Sequence, residues 1–326
     1  MSKIAFVFPG QGSQSVGMGK DLYEKYPAAR SYYDAADDIM GIHISKLCFD
    51  GPADALKETN ITQPALYIHS YILTHLMDMK KEKVSVFAAA GHSLGEYTAN
   101  AFAKTFSFED GLRLVKKRGE LMKNSGDVRK GSMAALIGLD AKTIDEICEK
   151  ASGGHPDTHG ENEDPLNDYS IVQPANYNCP GQIIISGDKK AIERAINIAK
   201  TEYNCRLAKE LEVSGAFHSQ LMVPAAEDLR IALDSTTFND ALIPVYSNVE
   251  AEPSVEKEMI RQNLYRQLMS PVKWENIINN MIRNGVSKFY EIGSGSVLTG
   301  LIKKIDKSVE LVNISTAEHI ENFLNS

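Results

Sequence analysis

The sequence predicts an α/β chain in which a mostly parallel sheet, covered by helices, is interrupted by a small βαββαβ unit. Three observations carry this reading. Short apolar runs alternate with helical patterns through the N-terminal half. A Gly-x-Ser-x-Gly turn stands where an apolar run hands over to a helical one. From Gly131 the rhythm changes to strand, helix, two strands, helix and strand.

Taken in order, Ile4 to Phe8 reads as the first strand, and Gln63 to Met79 as a helix with Leu66, Ile68, Tyr71, Ile72 and Leu76 at helical spacing. Val84 to Ala90 is an apolar run too short for a helix of its own, and the sharp turn after it favours a strand. Glu96 to Ala103 and Asp110 to Asn124 follow as helices. The small unit comprises strand Met133 to Leu139, helix Lys142 to Ala151, strands near Ser170 to Val172 and at Gln182 to Ser186, helix Lys189 to Tyr203, and strand Arg206 to Val213. This is the ferredoxin-like order. The polar stretch Ser152 to Asp168, dense in Gly, Pro, Asn, Asp and Glu, is expected to be a surface loop inside it. Strands at Ile243 to Tyr246 and Lys288 to Ile292 return the chain to the large sheet. The expected division is 1–127 with 215–326 for the large domain and 128–214 for the insert.

Bulk properties exclude several function classes. With 326 residues, 43% of them hydrophobic, the chain is long enough to bury a full core. Forty-three acidic against thirty-five basic residues give a net charge of -8, which disfavours nucleic acid as a partner. No stretch reaches the roughly 18 continuous apolar residues of a membrane helix, and Met1-Ser2-Lys3 leads straight into the first strand without a secretory pattern. A cytoplasmic location is expected. Cys48, Cys148, Cys179 and Cys205 are scattered and form no Cys-x-x-Cys pair, so neither a zinc knuckle nor a disulfide framework is predicted. His155-Pro156-Asp157-Thr158-His159 offers metal-ligating types, but Pro156 prevents the helix that would align the two histidines, and a solvated loop is expected. No metal is assigned.

Chemistry concentrates at Gly91-His92-Ser93-Leu94-Gly95. Glycines flank the serine because side chains there would clash with strand and helix. The turn exposes Ser93 Oγ at a strand's C-terminal end, against the free N–H groups of a helix N-terminus. The amide of Leu94 is a natural oxyanion donor. A serine hydroxyl needs a base. His218, on the small-residue turn Val213-Ser214-Gly215-Ala216-Phe217-His218-Ser219, is the best of the eight histidines. The ring of His92 should point away from Ser93 Oγ, and His43, His69 and His75 read as packed or solvated. No acid partner for His218 announces itself.

Pro9-Gly10-Gln11-Gly12-Ser13-Gln14 also follows a strand. A Rossmann fingerprint needs Gly or Ala where Ser15 stands, and a P-loop needs Ser or Thr where Asp21 stands, so nucleotide binding is excluded. The glycines are expected instead to let a backbone N–H, that of Gln11, approach a substrate oxygen, with an ordinary tight turn as the alternative. Gly293-Ser294-Gly295-Ser296 reads as structural. On the helix Asp110 to Asn124, Arg118 sits within the apolar stripe of Leu114, Val115, Leu121 and Met122. A core-facing guanidinium needs an anionic partner, and periodicity alone favours an internal Asp or Glu over a bound carboxylate.

In order, these motifs resemble the malonyl-coenzyme A:acyl carrier protein transacylases. Thr62-Gln63-Pro64-Ala65-Leu66, Lys117-Arg118-Gly119, Met133-Ala134-Ala135, Ser247-Asn248-Val249 and Val297-Leu298-Thr299-Gly300 extend the resemblance almost end to end. It implies an α/β-hydrolase-like large domain with an inserted ferredoxin-like subdomain. It implies ping-pong transfer of malonyl from malonyl-CoA through Ser93, with His218 as base, to the phosphopantetheine thiol of an acyl carrier protein. By the same resemblance, the amides of Gln11 and Leu94 form the oxyanion hole and Arg118 holds the malonyl carboxylate, which reverses the ion-pair reading. A backbone carbonyl at Gln267 orients the histidine, Phe217 disfavours an α-methyl branch, and Gln63 and Met122 join the substrate site. No permanently bound cofactor is expected, and a monomer meeting its carrier transiently is. Competing readings are a stand-alone malonyltransferase of a polyketide assembly line, an acyl-carrier-protein hydrolase, and a non-catalytic acyl-binding subunit. Arg118 argues against the hydrolase, because a long neutral chain would bury that charge unpaired; intact Ser93 and His218 argue against the last. The loop 152–168 is longer than the resemblance leads one to expect of compact members of that family.

Overall fold

The computed structural model describes residues 3–79, 84–128, 130–153, 170–213 and 215–325. The chain is a mixed α/β fold with two sheets. Ten strands are described: β1 (Lys3–Phe8), β2 (Val86–Gly91), β3 (Gly131–Ile137), β4 (Val172–Cys179), β5 (Gln182–Asp188), β6 (Leu207–Glu210), β7 (Val245–Tyr246), β8 (Pro253–Ser254), β9 (Val286–Ile292) and β10 (Glu310–Ile314). The larger sheet has the order β10-β9-β1-β2-β7-β8, parallel throughout except for the β7–β8 pair. The smaller has the order β4-β5-β3-β6 and is entirely antiparallel.

The period-2 pattern of β1 explains why it lies at the centre. Phe6 and Phe8 face one hydrophobic cluster while Ala5 and Val7 face another, so both faces of the strand are covered by helices. In β2, Ala89 and its neighbours Ala88 and Ala90 divide in the same way. On the first face lies the helix Thr59–Met77, whose residues Thr62 to Thr74 are all buried. It therefore runs through the interior, whereas the sequence pattern suggested one apolar stripe. Trp274, on the helix Trp274–Arg283, is fully buried on the other face.

The small sheet alternates likewise. Ala134 and Leu136 of β3 and Ile183 and Ile185 of β5 pack under the helices Ala141–Ala151 and Lys189–Thr201. Met133 and Ile184 point the other way, into the main core. Backbone bonds tie β4 to the large domain, with Tyr177 N donating to Val272 O at 2.9 Å and Val272 N to Ala175 O at 2.8 Å. These bonds hold the two sheets at a fixed spacing, and the cleft described below opens between them.

Several boundaries differ from the sequence reading. The strand placed near Ser170 to Val172 begins at Val172 and continues to Cys179. Those expected at Arg206 to Val213 and Ile243 to Tyr246 shorten to Leu207–Glu210 and Val245–Tyr246, because β6 pairs on one side only and β7 offers two residues to β2. The helix carrying Arg118 extends over Phe108–Val128. Most of the polar stretch 152–168, with His155 and His159, lies outside the described residues. Among the described residues no helix is long and apolar enough to cross a membrane.

Candidate active site

The turn between β2 and the helix Gly95–Phe102 is an elbow held in strain. Ser93 has φ 50°, in the left-handed region that side chains other than glycine seldom adopt. Two bonds from Asn248 brace it: Ser93 N donates to Asn248 Oδ1 at 2.7 Å, and Asn248 Nδ2 donates to Gly91 O at 2.7 Å. The glycines are sterically required. A Cβ on Gly95 would stand 2.0 Å from Phe8 O, and one on Gly10 would stand 2.5 Å from His92 O. The loop after β1 therefore lies directly against the elbow, which brings Gln11 and Leu94 to the same cleft. Neither amide has a hydrogen-bond acceptor among the described residues. Gly95→Ala is expected to destabilise the protein by about 3 kcal/mol, since the atoms its Cβ would meet, Phe8 O and C and Pro9 O, are all backbone at the end of the central strand; urea denaturation measures this.

Ser93 Oγ lies 2.7 Å from His218 Nε2. His218, itself at φ 58°, is 3% exposed, and its Nδ1 lies 2.9 Å from the backbone carbonyl of Gln267. A carbonyl can only accept, so Nδ1 carries the proton and Nε2 presents its lone pair to the serine hydroxyl. Burial, and secondly the charge of Arg118, push the imidazole down to about 3. His218 is therefore a neutral base throughout the ordinary pH range. His92 turns away, with Nε2 at 2.8 Å from Asn178 Oδ1 and its ring 5.7 Å from that of Trp274. His43, His69 and His75 do not line the cleft.

Arg118 is 1% exposed. Its NH1 donates to Gln63 Oε1 at 2.7 Å, and its NH2 to Ser93 Oγ at 3.0 Å and Gln267 Oε1 at 2.9 Å. Its guanidinium carbon stands 5.5 Å from the centre of the Tyr97 ring. No described carboxylate forms an ion pair with it, which corrects the internal salt bridge that periodicity favoured. Hydrophobic spacing shows that a side chain faces inward but not what it meets there, and Arg118 meets neutral amides and a hydroxyl. Burial accordingly lowers its pKa.

Around this cation and hydroxyl lies a cleft of about 250 Å³ between the two sheets. Phe217, Met122 and Met133 give it apolar walls, and Gln63 at its floor also donates to Met122 Sδ at 3.0 Å. The residues assigned to the site from the sequence thus all line this cleft except Gln267, which stands behind it. Sequence reasoning gave no role to Asn248 or Glu96. Glu96 is 2% exposed, and its Oε2 accepts from Asn248 N at 3.1 Å and Gln267 Nε2 at 2.7 Å. Burial raises its carboxyl to about 7, against the opposing pull of Gln267, Asn248 and Arg118. The available signal was a glutamate in a helix otherwise made of small and aromatic residues, the same kind of anomaly as Arg118. Among the described residues, no group of three or more His, Cys, Asp or Glu side chains is placed to hold a metal ion.

A serine hydroxyl against a neutral imidazole, two unengaged amides and a buried cation within one cleft form an arrangement suited to acyl transfer from a substrate with an anionic tail. The comparisons with known proteins agree. Residues 5–321 match the model of the acyl transferase domain. The malonyl CoA-acyl carrier protein transacylase of Bacillus subtilis is 44% identical over 321 residues, covering 98% of this chain and 96% of that protein. The structure of the malonyl CoA-acyl carrier protein transacylase of Coxiella burnetii superposes with a TM-score of 0.91 at 35% identity, covering 99% of this chain and 97% of that one. A malonyl-transacylase solved in complex with its type II PKS acyl-carrier protein gives a TM-score of 0.90 at 36% identity, covering 99% of each chain. With the family model matched almost end to end and relatives of this identity over nearly their full length, the chain belongs to the malonyl CoA-acyl carrier protein transacylase family.

Proposed function

We propose that this chain transfers a malonyl group from malonyl-CoA to the phosphopantetheine thiol of an acyl carrier protein through a malonyl ester on Ser93. The observation that carries the reading is the buried guanidinium of Arg118, without an ion-paired carboxylate among the described residues and 3.0 Å from Ser93 Oγ. A malonyl thioester carries its carboxylate and its reacting carbonyl on either side of a single methylene, and this short spacing lets the carboxylate reach the guanidinium while the carbonyl meets the hydroxyl.

In the acylation half, His218 Nε2 takes the Ser93 hydroxyl proton as Oγ bonds to the thioester carbon. The amides of Gln11 and Leu94 take the developing oxyanion. The carbon–sulfur bond then breaks, and the coenzyme A thiolate leaves with the proton from His218. In the second half His218 removes the proton of the carrier's thiol, whose sulfur attacks the ester carbon. Ser93 Oγ leaves and recovers its proton from the imidazolium. Gln267 O holds the ring through both halves. Phe217, in the cleft wall, disfavours an α-methyl branch on the acyl group.

The same reading divides the chain into an α/β-hydrolase-like domain, 1–127 with 215–326, and a ferredoxin-like subdomain, 128–214. The elbow between β2 and its helix supports the first, and the antiparallel order β4-β5-β3-β6 with two helices on one face supports the second. A monomer in the cytoplasm, supplying extender units for fatty acid synthesis, completes the proposal. A polyketide carrier is the second reading, favoured by the likeness to a transacylase solved with a type II PKS carrier. The test is intact-mass measurement after incubation with malonyl-, methylmalonyl- and acetyl-CoA. One malonyl adduct per chain is expected, discharged by a holo carrier protein and missing in Ser93→Ala; an adduct that survives that substitution would refute the assignment.

A further inference from the structure

Behind Ser93, one residue joins the serine, the histidine and the arginine. Gln267 accepts from His218 through its backbone carbonyl, accepts from Arg118 through Oε1 at 2.9 Å, and donates through Nε2 to Ser93 O at 2.8 Å. A side-chain amide has two faces of opposite polarity. Turned by half a rotation, Gln267 would set its NH2 against the guanidinium, donor on donor, and its oxygen against Ser93 O, acceptor on acceptor. The guanidinium would lose one of its anchors. The third contact of this amide is with Glu96, from Nε2 to Oε2 at 2.7 Å. The same oxygen accepts the backbone N–H of Asn248 at 3.1 Å, and Asn248 is the residue that clamps the amide of Ser93. Glu96 itself does not line the cleft.

We propose that Glu96 is a positioning residue of the transfer: a single carboxyl oxygen, by accepting from Gln267 and Asn248 together, fixes the polarity of the Gln267 amide and so aims Arg118 while bracing the Ser93 elbow. This inference rests on the malonyl transfer proposed above. It places the function of Glu96 in its acceptor oxygen rather than in its charge, because both bonds run to one atom and a glutamine oxygen can occupy the same place.

Glu96→Gln therefore keeps the acceptor and removes the charge, whereas Glu96→Asp keeps the charge and withdraws the acceptor by one methylene. Glu96→Met fills the volume with neither. The readouts are kcat/KM for malonyl-CoA and for acetyl-CoA, with thermal unfolding alongside. Glu96→Gln is expected to keep the wild-type malonyl-to-acetyl ratio. In Glu96→Asp and Glu96→Met the ratio is expected to fall about tenfold, the usual scale for removing a residue that orients a site group. A purely structural role would lower the unfolding temperature and leave the ratio of the folded enzyme unmoved. Folded Asp and Met variants with the wild-type ratio, or a Gln variant that falls with them, would overturn the proposal. Should the Met variant not fold, the Gln and Asp pair decides. Failure of the wild type to form a malonyl adduct at all would instead strike the transfer reading on which this one stands.

Discussion

His218→Ala is expected to slow malonylation of Ser93 by about 10³-fold, within the range that general-base catalysis supplies, while leaving malonyl-CoA binding nearly unchanged. In the proposed mechanism the carboxylate is bound by Arg118, and the His218 ring nitrogens face Ser93 Oγ and Gln267 O, so the loss is expected to fall on the chemical step. The pH profile gives an independent check. The pKa of His218 is lowered to about 3, first by burial and then by Arg118, so a base that is neutral at pH 8 stays neutral as the pH falls past the 6.5 of a free imidazole. The acid limb of kcat/KM, which reports the free enzyme, is expected below about pH 5. A limb centred near 6.5 would contradict the buried geometry. Linkage adds a stability prediction of defined sign. Because the folded value lies below the unfolded one, the unfolded chain binds the extra proton between them. His218 thus contributes stability that is complete above about 6.5 and lost as pH falls toward about 3. Single-turnover rates and urea denaturation across pH measure the two effects.

How much of this was legible in the sequence follows from which forces leave a local trace. The first strand, the elbow and the helix after it were readable because period-2 alternation, glycine-only contacts and period-3.6 stripes are properties of neighbouring residues. The strand β10 was missed: it is a five-residue edge strand with four of its residues exposed or half-buried, so it carries little alternation. The helices Pro27–Met40 and Ile44–Asp50 were passed over as well, although Gly41 and Gly51 stand at their ends as stop signals. The partners of Arg118 were beyond any local pattern. Gln63 is 55 residues away in sequence and Gln267 is 149, and only folding joins them. The resemblance named Gln267 for its carbonyl, but its side chain, which ties Glu96 to Arg118, has no signature in a single sequence.

Arg118→Ala is expected to lower kcat/KM for malonyl-CoA by about 100-fold, the scale of about 3 kcal/mol for removing one partner of a buried charge pair, and to leave acetyl-CoA within about threefold of wild type. In the free protein both terminal nitrogens of the guanidinium are hydrogen-bonded, but Nε is buried without a partner and the acceptors Gln63, Gln267 and Ser93 are all neutral, so the charge is left without an ion pair among the described residues. A malonyl carboxylate supplies the missing charge and matches two N–H groups at once. An acetyl group enters the same cleft with a methyl group, leaves the cation uncompensated, and gains no bond in return. Selectivity therefore comes as much from the penalty on neutral acyl groups as from attraction of the anionic one, and removing Arg118 abolishes both. Arg118→Lys separates them: the charge remains and continues to disfavour acetyl, but the planar fork is lost, so malonyl transfer is expected to fall with the ratio partly kept. Competition assays with mixed malonyl- and acetyl-CoA read the ratio directly. An unchanged ratio in Arg118→Ala would make the guanidinium a structural cation, and the diacid specificity would then have to reside elsewhere in the cleft.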